Sequence, residues 1–83
     1  MRSTSDYALK IIFYLSVQND YITYHELAAV LRIPSIYVIH IINGLSKANM
    51  VVKADTVWGG IRLQKQEQVL TIEVLRKIIA LFK

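Results

Sequence analysis

Between residues 34 and 47 the apolar positions Val38, Ile41, Ile42 and Leu45 recur at three- and four-residue intervals. That is the spacing of a helix with one buried face. The opposite side carries Ile36, Ile39, His40, Asn43 and Lys47. One amide, one imidazole, one ammonium and two isoleucines do not make a core, so solvent or a partner must receive them. Pro34 opens the segment, because proline disfavours helical geometry in the residue before it and is tolerated in the first turn that follows.

Upstream, residues 6–17 predict a first helix, with Ser3, Thr4 or Ser5 as a hydroxyl cap and Asp6 in the first turn, where the helix dipole favours an anion. Its apolar residues Tyr7, Ala8, Leu9, Ile11, Ile12, Phe13, Tyr14 and Leu15 run nearly all the way round. A helix buried on two sides reads this way, and in a chain of 83 residues the second side is expected to meet a neighbouring chain. A polar connection over residues 18–21 leads into Ile22-Thr23-Tyr24-His25-Glu26-Leu27. Thr23 can cap the Glu26 amide, Glu26 can return to the Thr23 amide, and Ile22 can pack on Leu27: a capping box with a hydrophobic staple. The second helix has Leu27, Ala28 and Leu31 as its inner edge and runs to about Arg32, a cation at the end of the dipole that favours one. A short helix, a tight turn at Ile33-Pro34 and a longer helix form the pattern of a helix-turn-helix.

Downstream, residues 50–54 have the β-branched content of a strand, and Ile61-Arg62-Leu63 alternates as its return. Gly59-Gly60 supplies the backbone freedom of the turn. After a polar stretch over residues 64–68, a last helix is expected from about Thr71 to Phe82. Its stripe is Ile72, Leu75, Ile78, Ile79 and Phe82, with Arg76, Lys77 and Lys83 outside. The predicted fold class is mostly α with a small β-hairpin, a winged helix-turn-helix, in a single domain covering residues 1–83.

Composition sharpens the choice of partner. A hydrophobic fraction of 54% is high for so short a chain, yet no apolar run approaches the roughly 20 residues a bilayer span requires. No membrane role is expected, and the surplus apolar surface points to another protein chain. Ten Lys and Arg against six Asp and Glu leave a net charge of +4, a balance that favours polyanions such as nucleic acid or anionic lipid. The absence of cysteine removes disulfides, thiol catalysis and thiolate metal sites, and fits a cytoplasmic protein without an export signal. His25 and His40 are the only histidines, and no His-x-x-x-His pair, carboxylate pair with a nucleophile, or glycine loop opening a helix appears. No enzyme activity, metal or cofactor is expected.

The residues then resemble a known family, the IscR/NsrR-type (Rrf) bacterial winged-helix transcription regulators. The resemblance runs through Met1-Arg2, Tyr7-Ala8-Leu9, Leu27-Ala28, the six residues 33–38 from Ile33-Pro34 onward, the exit Leu45-Ser46-Lys47-Ala48-Asn49-Met50-Val51, and Gly59-Gly60-Ile61-Arg62-Leu63. It implies a homodimer on a palindromic operator in double-stranded DNA, with the third helix in the major groove and the wing against the adjacent backbone or minor groove. Carried over by position, it makes Ser35, Ile36, Ile39, His40 and Asn43 the base-reading candidates, overlapping the outward face that periodicity gives by itself. It also makes Arg2 a phosphate contact. Subunit pairing is expected through the first and last helices. The chain departs from the family in three respects. It lacks the cysteines on which some members hold a cluster, it stops before the family's long dimerisation helix, and its wing tip reads Asp55-Thr56-Val57-Trp58. An acid there meets phosphate as a like charge, which weighs against minor-groove reading by the wing.

Each candidate also has a plainer reading. His40 and Asn43 fit hydrogen bonds to base edges, Asn being matched to adenine, or an ordinary solvated face. Ile36 and Ile39 suit thymine methyls or packing on another chain. Lys47, Lys53, Arg62 and Lys65 suit phosphate anchors or simple solvation. Trp58, at the wing tip with Gly59 and Gly60, can stack on a partner or fold back over the core. The leading expectation is a sequence-specific DNA-binding transcription regulator. The alternative is a winged-helix protein-interaction module, or a truncated antagonist, that no longer reads DNA.

Overall fold

A computed structural model describes residues 4–18, 20–55, 59–64 and 71–82. The elements follow in the order α1 (Thr4–Ser16), α2 (Tyr24–Leu31), α3 (Ser35–Lys47), β1 (Val51–Lys53), β2 (Ile61–Leu63) and α4 (Ile72–Leu81). Three helices, an antiparallel hairpin and a closing helix make the mostly α winged helix-turn-helix that the sequence predicts. One cluster of buried side chains draws on all six elements.

The first helix begins two residues earlier than expected, and Asp6 stands in its first turn. Its all-round apolarity resolves into distinct parts. Ala8, Ile11, Ile12 and Leu15 are buried, Tyr7, Leu9 and Tyr14 pack at the margin, and Phe13 is exposed. The Tyr14 hydroxyl donates to Glu26 Oε2 at 2.6 Å, tying α1 to α2. That bond to a carboxylate, together with its charge, raises the Tyr14 pKa above the ordinary phenol value.

Half of the expected capping box is present. Thr23 adopts extended geometry (φ −75°, ψ 157°) and accepts from the Glu26 amide at 3.0 Å. The Glu26 carboxylate does not close the box on the Thr23 amide, because it is engaged by Tyr14, a partner from another helix that local spacing does not reveal. Thr23→Ala is expected to cost about 1 kcal/mol of stability through the lost cap, with Thr23→Ser retaining most of it, as read by urea unfolding. The helix ends at Arg32 in the left-handed region (φ 55°), and the Ile33 amide reaches back to the Ala28 carbonyl at 3.1 Å. Pro34, which has no amide to donate, follows directly, and its carbonyl accepts from the Tyr37 and Val38 amides to start α3. The exit from α3 repeats the device. Asn49 is left-handed (φ 58°), and the Met50 amide bonds the Leu45 carbonyl at 2.9 Å.

The inner stripe of α3 is as expected: Val38, Ile41, Ile42 and Leu45 are each fully buried. The β-ladder is shorter than the predicted residues 50–54. It pairs Val51 with Leu63, Val52 with Arg62 and Lys53 with Ile61, and is extended at its ends by Gln64 N to Met50 O and Ala54 N to Gly60 O. In this register the amide and carbonyl of Ile61 point away from β1. Both are satisfied by Ile22, at 2.8 Å in each direction. The residue just before the α2 cap therefore acts as a third, one-residue strand, holding the hairpin to the start of the helix-turn-helix.

The last helix requires a correction. Thr71 caps it, accepting from the Val74 amide at 3.3 Å, but its buried residues are Val74 and Ile78, flanked by Leu75 and Phe82. Ile72 and Ile79, which the apolar spacing places in the core stripe, are 68% and 47% exposed. Seven of the ten residues of α4 are apolar, enough for two overlapping stripes, and packing against α1 and α3 selects the one through Val74 and Ile78.

Candidate nucleic-acid interface

With its inner stripe sealed, α3 turns Ser35, Ile36, Ile39, His40, Asn43 and Lys47 outward, all exposed. Ile36 is the most open of the apolar members at 74%. Tyr37, half exposed next to it, packs its ring against Tyr7 of α1, with centroids 5.7 Å apart. On the other border, Phe82 from the end of α4 lies edge-on to the His40 ring at a centroid distance of 6.4 Å. The same phenyl ring covers Gly44, where an added Cβ would stand 2.9 Å from two of its atoms. Gly44 thus lets the end of α4 settle beside the outward face without covering it. Periodicity identifies the face but misses both aromatic borders, since each depends on residues distant in sequence.

The cations expected as phosphate anchors are not equivalent. Lys47, in the last turn of α3, is exposed and unpaired among the described residues. Lys53, exposed on β1, donates from Nζ to Asn43 Oδ1 at 3.0 Å, joining strand and helix across the surface. Arg62, on β2, lies over the Tyr21 ring at 5.6 Å, a cation–π placement that holds the guanidinium at the base of the hairpin. Tyr21 also explains Gly60. That residue has φ 120°, and an added Cβ would come within 3.1 Å of the Tyr21 Cβ, so both backbone and space demand glycine. Gly59 is left-handed as well (φ 72°) and exposed, with open space around it. Arg2, Lys65 and Trp58 lie outside the described residues.

A family model described as Rrf2, iron-dependent transcriptional regulator, matches residues 1–80. The chain belongs to the Rrf2 family. It is therefore a transcription regulator of a DNA-binding family and not an enzyme, as the resemblance implies. No curated protein and no solved structure matches it. The iron in the family's description does not fit the residues of this Rrf2 chain. There is no cysteine to supply a thiolate, and among the described residues no three His, Asp or Glu side chains come together as ligands. The two histidines stand on different helices, His25 on α2 and His40 on α3, and both are exposed. None of the described helices is long and apolar enough to cross a membrane.

Proposed function

We propose that this Rrf2 protein binds double-stranded DNA by laying the outward face of α3 in the major groove, as one half of a homodimer on a two-fold operator. In this reading Ser35, Ile36, Ile39, His40 and Asn43 meet base edges, and Lys47, Lys53 and Arg62, with Arg2, hold phosphates. The carrying observation is the division of α3 itself, whose apolar stripe is fully buried while His40, Asn43 and Lys47 stand together in solvent. A helix of this width fits the major groove, where each base pair shows a distinct set of donors, acceptors and methyl groups. Exposed Ile36 and Ile39 suit thymine methyls. Occupancy of the operator then acts on transcription by blocking or recruiting polymerase.

The test is substitution of the face. Asn43→Ala and His40→Ala are each expected to weaken binding to a selected operator by about 1–3 kcal/mol for every well-matched hydrogen-bonded base they cease to read, leaving binding to unrelated duplex nearly unchanged. Fluorescence anisotropy at fixed salt provides the measurement.

A second reading has its own support. Ile36 on the face and Phe13 and Val30, which line a depression between α1 and α2, leave large apolar surfaces open. Such surfaces suit a protein partner. On that reading neither alanine variant changes DNA binding at all.

A further inference from the structure

We infer that Lys53, bonded to Asn43, makes the two together a reader of guanine instead of adenine. The inference rests on the major-groove reading of α3 and goes beyond it by naming the base and by moving Lys53 from the phosphates to the base edge. The Lys53 ammonium carries three donors and no acceptor, so the amide atom facing it at 3.0 Å is the carbonyl oxygen of Asn43. With Oδ1 turned toward Lys53 on β1, the amide atom without a partner is Nδ2, a donor. The remaining N–H groups of Lys53 stand beside it.

The pair therefore offers chiefly donors, and its one remaining acceptor lone pair lies next to a positive charge. A free asparagine reads adenine with both ends of its amide, Oδ1 accepting from N6 and Nδ2 donating to N7. Here one of the two lone pairs of Oδ1 is taken, and the ammonium that takes it puts a positive charge beside the place where the adenine N6 amino group would need to approach. Guanine presents two acceptors, N7 and O6, on the same edge. Nδ2 and the ammonium match both, and the charge that repels an amino group attracts a carbonyl.

The two residues are held for this task by different elements. Asn43 stands on the outward side of a helix whose inner side is locked in the core. Lys53 closes a strand whose register against Ile61 is fixed. Their bond therefore sets an orientation between two elements of the scaffold.

The test uses the full chain and a pool of short duplexes with a randomised centre, sequenced after selection. In the wild type, the position that loses its preference in Asn43→Ala should be guanine, and replacing that base by 7-deazaguanine should weaken binding. Lys53→Met, which keeps the aliphatic stem, should shift the same position toward adenine, reducing the guanine-over-adenine ratio by about 5- to 150-fold. Lys53→Arg, which keeps the donors, should restore guanine. Circular dichroism of each variant establishes that it is folded. An adenine at the Asn43-dependent position of the wild type, or a guanine preference unchanged in Lys53→Met, would overturn the inference while leaving major-groove reading intact. If no position responds to Asn43→Ala, both fail.

Discussion

Replacing Ile42 with alanine is expected to lower the unfolding free energy by about 2–5 kcal/mol. Ile42 is fully buried at the centre of α3, among Val38, Ile41 and Leu45. Removing three carbons there forfeits their transfer from water and leaves a void that neighbouring side chains fill only partly. Small domains have a total stability of roughly 5–15 kcal/mol, so the loss is a large share of what holds the chain folded. The matched comparison is Ile36→Ala on the same helix, where the side chain is 74% exposed. That change should stay within about 0.5 kcal/mol. Urea unfolding of the two variants beside the wild type decides the matter. Equal effects would mean that α3 does not divide into an inner and an outer face, and the proposal for its outer face would fall with it.

DNA binding should fall about a hundredfold for each subunit engaged when monovalent salt rises from about 50 to 200 mM. The figure follows from counterion release. If about four phosphates are neutralised per subunit, with Lys47, Arg62 and Arg2 among the cations that hold them, about four condensed ions are released, and the log–log slope of affinity against salt is about −3.6. Lys47→Ala removes an exposed cation at the end of α3 that the other proposed contacts do not engage, so the slope should become shallower by about one. Arg62, stacked on Tyr21, is held ready and should contribute a similar share. Titrations at four or more salt concentrations give the slope directly. A flat response would exclude phosphate contact as the main source of affinity and favour the protein-binding reading.

Much of this architecture is visible in the sequence, and the limits of that view have physical causes. The α3 stripe is legible because four aliphatic residues at helical spacing admit one phase only. The Thr23 cap is legible because donor and acceptor lie three residues apart. In α4 the same logic misassigns Ile72 and Ile79, since abundant apolar residues leave the rotation of the helix to its neighbours. Glu26 is drawn to Tyr14 across a helix boundary, which no local pattern can state. The site follows the same division. Periodicity selects the outward face, but Lys53 bonded to Asn43, Phe82 against Gly44 and Arg62 above Tyr21 are tertiary facts. They alter what the face can do. A lysine that reads in sequence as a phosphate anchor becomes, in the fold, a group that orients a reader.

The reciprocal backbone hydrogen bonds between Ile61 and Ile22 bear on the proposed binding of DNA. They clamp the hairpin to the helix pair like the two jaws of a calliper, so if wing and α3 both meet DNA as proposed, the span between them resists widening to suit a poorly shaped site. On that reading, misfit would be absorbed by bending or groove adjustment in the duplex, at a cost that depends on how pliable its base steps are. Sites with identical contacted bases but stiffer intervening sequence would then be bound less tightly, and the protein would discriminate at base pairs it never touches.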